Sequence, residues 1–364
     1  MTSKKKIGFV LTSSLHKGGI SRVLSIISNE LCEFTNYEIH IISFYPSVVS
    51  GYTWNKKIIF HDLLTSKVGM KRGILPASKK LRRLLKKHEI DILVLCGHNV
   101  GLLSILSSFF LRTKLVYWPH SSFSGYKLLT KYLNERINAA FVNVVVTLTK
   151  ADKTNFLQKT LARNVVQIYN PIDPELDITY QKYNPNTKKI LSVGRLNEEK
   201  NFHSHLIEIA KIVLSKHEDY EWHIYGSGEY HENIQIRINE NKLAEKVKLM
   251  GHKSDIYSIY GDYSLLVMTS QFEGFPMTLL EGMSKGLPLL SFDVPTGPNE
   301  IIMENKNGFL IPPFDIHEMA NKICLLIENT MTRNEFSKEN KNFVKEFNIK
   351  KIGNKWVSLF ESLI

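Results

Sequence analysis

Cysteine is scarce in this chain of 364 residues, and Cys32, Cys96 and Cys324 lie far apart. They provide neither the closely spaced ligands of a zinc site nor the even set of a disulfide framework, so we expect reduced core residues. Long apolar runs are also missing. The longest uncharged run, residues 100–111, falls short of the roughly 20 residues of a membrane span and predicts a buried core helix. No apolar secretory signal precedes the strand-like residues 7–11, which favours the cytoplasm.

Acidic residues are few in the first half of the chain. Residues 1–180 contain 25 Lys and Arg against 11 Asp and Glu, a net charge of +14, whereas the remainder contains 22 against 24. A helical pattern over residues 79–87 can lie on an anionic bilayer, or it can be a solvated face that adds only solubility. Without interleaved aromatics or a nucleic-acid-binding motif, no nucleic-acid partner is expected. The cations of this patch are Lys79, Lys80, Arg82, Arg83, Lys86 and Lys87.

The length of the chain exceeds the usual limit for one hydrophobic core, which predicts two domains of about 150–200 residues each. Strand-like apolar runs alternate with amphipathic helical stretches up to residue 148, and the alternation begins again at residue 189. Residues 169–177 contain two prolines and are typical of a linker. We therefore predict two doubly wound α/β domains with a cleft between them. Ligands of such sheets bind beyond the carboxyl ends of the strands.

The segment 272–286 carries two acids at helical spacing after a strand. An apolar strand over residues 265–268 leads into a loop with Glu273, and Pro276 suits the first turn of a helix that then carries Glu281. The N-terminus of such a helix favours a phosphate, and carboxylates can hold neutral hydroxyl groups. The combination suggests a sugar nucleotide as the ligand.

Two cations follow the strand that ends at Gly194. Arg195 supplies a planar fork of donors and Lys200 a compact charge, and together they can neutralise a leaving nucleoside diphosphate. The alternative is two surface cations beside neighbouring glutamates. The sequence lacks the Asp-x-Asp triplet that metal-dependent sugar transfer commonly uses, so a counter-charge from the protein is the more necessary. We expect no metal ion.

Further candidates follow strands of the first half. Gly18 and Gly19 allow a close backbone approach at a helix N-terminus, although glycine is common in such turns. His120 directly follows a strand and could orient a sugar hydroxyl or move a proton, and His98 occupies an equivalent place where an acceptor could bind. For any single histidine, a structural role is the alternative. Residues 293–302 predict a stiff, proline-containing loop that leads into a helix.

Together these segments resemble the glycosyltransferase family 4 group of retaining enzymes, which have the GT-B fold of two Rossmann-like domains. The resemblance covers nearly the whole chain and is most specific at the pair Glu273 and Glu281. It includes the Gly18-Gly19 turn, His120, Asn170-Pro171, Gly194-Arg195 with Lys200, and Tyr225-Gly226-Ser227-Gly228.

The resemblance implies a role for each motif residue. Arg195 and Lys200 would bind the diphosphate, Glu281 the ribose and Glu273 the donor sugar, with the backbone of Gly19 near a phosphate. His120 would lie near the reacting carbon. The acceptor hydroxyl would attack from the leaving-group face and pass its proton to a phosphate oxygen, and a covalent intermediate on Glu273 is the alternative. The remaining donor-site residues would be Gly18, Gly251, His252, Gly274, Phe275 and Pro276.

The resemblance also implies an organisation and a biological setting. Residues 1–170 would bind the acceptor, residues 171–345 would bind the nucleotide sugar, and residues 346–364 would form a helix that crosses back to the first domain. The loop 295–300 is similar to that of bacterial enzymes that build lipopolysaccharide, O-antigen or capsule from UDP-hexoses or UDP-N-acetylhexosamines. A lipid-linked or lipopolysaccharide acceptor, and a position on the inner face of the cytoplasmic membrane, are therefore expected.

Three points stay open at this level. Family members often carry an acid before the arginine of the glycine turn, whereas this chain has Ser21 there, so the acceptor role of Arg22 is an open assignment. UDP-N-acetylglucosamine 2-epimerases share the fold, but the pair Glu273 and Glu281 argues against them. A non-catalytic sugar-nucleotide-binding subunit would be expected to lose Glu273, Arg195 or Lys200, and all three are present.

Overall fold

A computed structural model describes residues 4–13, 18–46, 52–66, 68–123, 129–178 and 183–364. The chain divides into two compact units: unit 1 comprises residues 1–171 together with 348–364, and unit 2 comprises residues 172–347. Each unit contains one parallel sheet with helices, which confirms the predicted α/β fold class. Within the described ranges, none of the helices combines the length and apolarity that crossing a membrane requires.

Unit 1 has a seven-stranded sheet in the order β3-β2-β1-β4-β5-β6-β7. The central strands, such as β4, are buried on both faces and therefore consist of nearly continuous apolar residues. The order reverses between β1 and β4, so ligands are expected beyond the carboxyl ends of these two strands. The strands are β1 (Lys5–Leu11), β2 (Tyr37–Ser43), β3 (Ile59–Asp62), β4 (Ile92–Cys96), β5 (Lys114–Trp118), β6 (Val144–Thr147) and β7 (Val165–Gln167).

The helices of unit 1 alternate with these strands, and the last one comes from the end of the chain. Its buried residues Trp356 and Phe360 both contact Phe9 of β1 in edge-to-face geometry, with ring centroids 6.5 Å apart. The helices are α1 (Gly19–Leu31), α2 (Met70–His88), α3 (Gly101–Ser108), α4 (Leu129–Phe141), α5 (Lys150–Lys159) and α12 (Ile349–Leu363).

Unit 2 has a six-stranded sheet in the order β10-β9-β8-β11-β12-β13, which reverses between β8 and β11. Its strands are β8 (Lys189–Val193), β9 (Glu221–Tyr225), β10 (Val247–Gly251), β11 (Leu265–Met268), β12 (Leu289–Phe292) and β13 (Gly308–Ile311). Its helices are α6 (Glu175–Ile178), α7 (Ile207–Lys216), α8 (His231–Glu240), α9 (Met277–Ser284), α10 (Ile316–Glu328) and α11 (Thr330–Phe343).

Several local expectations change in the structure. The apolar run 100–111 forms α3, which ends at Ser108. The proline-containing loop 293–302 leads only into a single 3₁₀ turn, Pro298–Glu300, so the predicted helix after it is wrong. The predicted linker is not exposed to solvent along its length, because Asn170 and Asp173 are buried. Helix α6 begins directly after them.

The cationic helix is also longer and differently oriented than its pattern suggested. It begins at Met70, and Leu81 and Leu85 are buried in the core of unit 1. Its apolar face therefore cannot enter a bilayer while the unit is folded. Most of the cations remain exposed on the outer face of α2, whereas Arg82 is half-buried and donates to the carbonyl oxygens of Ser107 and Phe109.

Candidate active site

The switch point of unit 2 lies between the segments that follow β8 and β11. The segment after β8 packs against the glycine-rich turn after β9: the amide of Leu196 donates to the carbonyl of Ser227 at 3.0 Å. A Cβ on Gly226 would lie 1.8 Å from the carbonyl oxygen of Gly194, and one on Gly228 would lie 2.2 Å from that of Leu196. Only glycine permits this approach, which fixes the backbone on both sides of Arg195.

The backbone around Lys200 is held by the segment after β11. Asn201 is buried and has a left-handed conformation with φ of 56°, and its side-chain amide donates to the carbonyl of Thr269 at 3.0 Å. In return, the hydroxyl of Thr269 donates to the carbonyl of Lys200 at 2.7 Å, and the amide of Gln271 donates to Asn201 Oδ1 at 2.6 Å. These bonds tie together the two loops on either side of the switch point.

Lys200 and Glu273 consequently meet. Their side chains form an ion pair and are mostly shielded from solvent, with exposed fractions of 21% and 13%. The structure thus places the lysine from the first loop against the acid from the second, although they are 73 residues apart. The side chain of Arg195 is exposed, and within the described part of the chain it forms no ion pair. Its charge is therefore available to a ligand.

The proline-containing loop after β12 supports the loop of Glu273. The hydroxyl of Thr296 donates to the backbone carbonyl of Glu273. Gly297 has φ of 99°, and a Cβ there would meet Pro276 Cδ at 2.7 Å and the carbonyl of Gly274 at 3.2 Å. Neighbouring Phe275 is buried and packs against Phe347, with ring centroids 5.8 Å apart. The residues between Glu273 and α9 are thus held from two sides.

Glu281 lies on α9 and accepts a hydrogen bond of 2.5 Å from the hydroxyl of Tyr260. Tyr260 is fully buried, and burial together with the adjacent carboxylate raises the pKa of its phenol well above the ordinary value. The phenol is therefore protonated at neutral pH and donates to Glu281. It fixes the orientation of the Glu281 carboxylate.

The end of β10 borders the same region. The carbonyl of Gly251 accepts a hydrogen bond of 2.9 Å from the amide of Gly226, and Gly251 itself has φ of 70°. A Cβ on Gly251 would meet no atom within 4 Å, so the space beside it is open. His252 follows and is exposed. This places the predicted base-binding residues next to the turn that supports Arg195.

In unit 1, the turn after β1 contains Gly18 and Gly19, while residues 14–17 before it lie outside the described ranges. A Cβ on either glycine would meet nothing within 4 Å, so a ligand could approach this backbone. The hydroxyl of Tyr52 accepts from the amide of Gly18 at 3.1 Å, and the guanidinium of Arg22 lies 5.0 Å from the centroid of the Tyr52 ring. The structure thus stacks the guanidinium of Arg22 on the ring of Tyr52.

The histidines of unit 1 follow neighbouring strands. His120 lies beyond β5 with its ring centroid 4.1 Å from that of Trp118, and its buried Nε2 has no hydrogen-bond partner among the described residues. Burial lowers the pKa of His120 to about 3, so the ring is neutral at physiological pH. His98 follows β4 and is half-buried, and its carbonyl accepts from the side chain of Asn138 at 3.2 Å.

Sequence reasoning missed the residues that hold this site together. Tyr260 belongs to a short 3₁₀ turn without a motif, and no local pattern indicates its bond to Glu281. No motif in the sequence singles out Asn201 or Thr269. Thr296 lay within a loop whose predicted stiffness had no named target. Each acts through a partner distant in sequence, which spacing alone does not reveal.

Two family models match the chain, one in each part. The model described as Glycosyltransferase Family 4 matches residues 17–176, and that described as Glycosyl transferases group 1 matches residues 177–343. An uncharacterized glycosyltransferase of Haemophilus influenzae is 28% identical over 97% of this chain and 99% of its own length.

A second relative has a named activity. It is the GalNAc-alpha-(1->4)-GalNAc-alpha-(1->3)-diNAcBac-PP-undecaprenol alpha-1,4-N-acetyl-D-galactosaminyltransferase of Campylobacter jejuni, 24% identical over 97% of this chain and 98% of that protein. Among solved structures, a TarM mutant from S. aureus in complex with fondaparinux, alpha-GlcNAc-glycerol and UDP superposes with a TM-score of 0.80. It is 18% identical, and the match covers 98% of this chain and 99% of that one.

Proposed function

Because this chain belongs to the glycosyltransferases of GT-B type, we propose that it transfers a hexose or N-acetylhexosamine from a UDP-sugar, without a metal ion and with retention of configuration. The acceptor in this proposal is a lipid-linked, lipopolysaccharide or capsule glycan. The observation that carries the proposal is the meeting of Lys200 and Glu273 at the switch point of unit 2. At that point the lysine from one loop can bind the diphosphate, and the acid from the other loop can bind the sugar.

The donor would be held by groups whose geometry suits each part of it. Lys200 would exchange Glu273 for the diphosphate, and the exposed Arg195 would add a second cation. Glu273, released from the lysine, would accept hydrogen bonds from hydroxyls of the donor sugar. Glu281 would hold the ribose, and the base would lie beside Gly251. The open space beside Gly251 supports this position of the base.

The chemistry would rely on charge and position. The bond between the anomeric carbon and the diphosphate oxygen breaks, the acceptor oxygen forms the new glycosidic bond on the same face, and its proton passes to a phosphate oxygen of the departing UDP. Arg195 and Lys200 stabilise the charge that develops on that leaving group. A neutral His120 suits a hydrogen bond to a sugar hydroxyl better than proton transfer, because its low pKa makes it a poor base.

The proposed acceptor is supported by a relative and by charge. The Campylobacter enzyme is named for an acceptor linked to PP-undecaprenol, a lipid diphosphate. Unit 1 carries the excess of cations, and we assign it the acceptor, with His98 and Arg22 as contacts. We also assign unit 1 a peripheral contact with the anionic inner face of the cytoplasmic membrane through the exposed cations of α2.

The donor-site assignment is tested by Arg195→Ala and Lys200→Ala. Each change should lower the affinity for UDP by roughly tenfold or more, the scale of one charge-assisted hydrogen bond. Isothermal calorimetry measures this. Lys188→Ala is the matched control, because Lys188 forms an exposed ion pair with Asp219 just before β8, at the opposite end of that strand. Unchanged UDP affinity in both test variants would remove the assignment.

The reaction itself is tested by incubating the protein with UDP-sugars and a lipid-linked glycan. Transfer releases UDP and lengthens the glycan, and NMR of the new anomeric proton reports retention or inversion. Conversion of one UDP-sugar into another would identify an epimerase instead. Binding of UDP-sugars without either product would support a non-catalytic subunit, and no binding of any nucleotide sugar would contradict the enzyme assignment.

A further inference from the structure

Helices α3 and α4 leave a strip of large apolar side chains exposed on unit 1. On α4, the exposed residues Leu133, Ile137 and Phe141 recur at every fourth position, which places them on one face of the helix. On α3, Leu102 and Leu106 are exposed with the same spacing. Solvent-facing helices normally present polar residues there, so two adjacent apolar faces indicate a binding surface.

The two helices lie side by side. A Cβ on Gly101 of α3 would lie 1.8 Å from the side-chain oxygen of the buried Asn138 of α4, so the helices pack closely at this point. Their exposed apolar side chains therefore lie on neighbouring helices of unit 1.

The loop after α3 extends this surface with two phenylalanines. Phe109 and Phe110 pack edge to face, with centroids 4.4 Å apart, and their exposed fractions are 56% and 91%. Phe141, at the end of α4, lines the same groove of about 1110 Å³ as both of them. An aromatic side chain that is 91% exposed contributes nothing to the core, so its presence requires another explanation than folding.

The cations of α2 border this apolar surface. Arg82 donates from its guanidinium to the carbonyl of Phe109 at 2.6 Å, and the hydroxyl of Ser107 at the end of α3 donates to the carbonyl of Ser78 on α2 at 3.1 Å. Helix α2 contains eight Lys and Arg and no acid. The charged face and the apolar face are therefore neighbours.

Acidic residues are almost excluded from this part of the chain. Between Asp62 and Asp152 there are 15 Lys and Arg but three acids, Glu89, Asp91 and Glu135. Glu135 is buried and accepts a hydrogen bond from Tyr117, so it adds no exposed negative charge to the surface. Glu89 and Asp91 line the groove together with the phenylalanines, and both contact Lys6: its ammonium lies 3.5 Å from Glu89, and its backbone amide donates to Asp91 at 2.8 Å. Because the cations outnumber these acids, an anionic partner that also accepts apolar side chains fits this surface best. A polyanion alone would leave the phenylalanines in water.

We propose that α3, α4 and the Phe109-Phe110 loop form a membrane-docking surface that inserts into an anionic bilayer, while the cations of α2 contact the lipid head groups. This inference rests on the proposed membrane contact of unit 1 and gives it a site. Amphipathic surfaces bind in this way because apolar burial among the acyl chains adds to attraction by anionic lipids. The buried leucines of α2 take no part.

The test uses the full chain and vesicles of equal parts phosphatidylglycerol and phosphatidylcholine, with vesicles of phosphatidylcholine alone as the reference. Phe109→Ser combined with Phe110→Ser should lower the fraction sedimenting with anionic vesicles by about tenfold or more. Leu157→Ser combined with Leu161→Ser is the matched control: these leucines are 50% and 70% exposed on and just after α5, also in unit 1. It should bind like the unmodified protein.

A direct readout of insertion is the fluorescence of Phe110→Trp. Its emission should shift to shorter wavelength with anionic vesicles and should be quenched by brominated lipid. Absence of both changes in folded Phe110→Trp protein would overturn insertion. This readout does not depend on the stability of the serine variants.

Two outcomes separate the inference from the membrane contact on which it rests. If Lys79→Gln, Arg83→Gln and Lys86→Gln together abolish vesicle binding but the phenylalanine variant binds normally, the cationic contact stands and the docking surface is wrong. If the unmodified protein ignores anionic vesicles, both fail. A dimer in solution that the phenylalanine variant dissociates, without vesicle binding, would identify a second copy of the chain as the occupant instead.

Discussion

The buried Tyr260 orients the carboxylate of Glu281, to which the proposed function assigns the ribose. Its hydroxyl is 2.5 Å from Glu281 and has no role in forming an element of the sheet. If Glu281 holds the ribose, Tyr260 is a positioning residue that acts through it. A carboxylate fixed by a charge-assisted hydrogen bond loses less freedom when the ligand arrives.

We predict that Tyr260→Phe weakens UDP binding by roughly tenfold, since a hydrogen bond to a charged group contributes about 1.5–3 kcal/mol. The loss should be smaller for 2′-deoxy-UDP, because a ribose contact that is already missing cannot be weakened further. Calorimetry with both nucleotides measures the difference. Equal losses for the two nucleotides would indicate a structural effect alone, and Tyr257→Phe, on the preceding turn, is the control for removal of a nearby phenol.

At this scale the sequence predicted the charged residues better than their supports. Glu273, Glu281, Arg195 and Lys200 follow strands in recognisable order, so their place at one end of the sheet could be anticipated. The ion pair between Lys200 and Glu273 could not, because it depends on the side-chain conformations that the loops impose. The roles of these residues in binding remain predictions.

Among the elements, strands were predicted most reliably. Parallel strands buried on both faces consist of apolar runs, and β4, β8 and β11 stand out for that reason. Helix α5 has no marked apolar face, with only Asp152 and Phe156 buried, and its pattern gave no signal. For α2 the pattern predicted the helix but not what its apolar stripe packs against. The same stripe is expected whether the helix faces a protein core or a bilayer.

The edge of the sheet in unit 1 carries a cluster of histidines from three elements. His40 of β2 is buried, its Nδ1 lies 2.9 Å from Nε2 of His61 of β3, and both rings lie about 5 Å from that of His88 at the end of α2. Burial and the neighbouring histidines lower the pKa of His61 to about 4. The charged groups facing the cluster are Glu38, Asp62, Lys6 and Lys87.

We predict that unit 1 loses stability on acidification. The folded-state pKa of His61 is below the unfolded value of about 6.5, so its contribution is complete above that pH and is lost progressively as the pH falls from about 6.5 toward about 4. His61→Asn should therefore show a smaller fall in melting temperature between about pH 7 and about pH 5. The exposed His317 of α10 provides the control, His317→Asn. Parallel curves for His61→Asn and the unmodified protein would contradict the prediction.

At the scale of the whole molecule, the stability of unit 1 depends on residues 348–364, which follow unit 2 in the chain. The end of the chain belongs to unit 1, where Trp356 is fully buried against Trp118, with ring centroids 4.8 Å apart, and against Phe9 of the first strand. The two-domain organisation followed from length and from the renewed strand pattern, because both are properties of the entire sequence. The aromatic partners of α12 did not, since they are separated from it by more than half of the chain.

We predict that Trp356→Ala destabilises unit 1 by about 3–5 kcal/mol, the usual cost of a large cavity in a core. Hydrogen exchange measured by mass spectrometry should increase in β1, β5 and α1 but not in β8 or β11. Ser358→Ala, an exposed change on the same helix, is the control. Faster exchange confined to the strands of unit 2 would show that α12 stabilises a different part of the protein.

The contribution of α12 to unit 1 also determines the order in which the protein can be completed during synthesis. The ribosome releases β1 through β7 first, yet Phe9 and Tyr37 keep their apolar faces uncovered until Trp356 and Phe360 emerge. Unit 2 is continuous in the chain, whereas unit 1 includes residues 348–364, which follow unit 2. The seven strands of unit 1 therefore lack their last helix for as long as unit 2 is being translated.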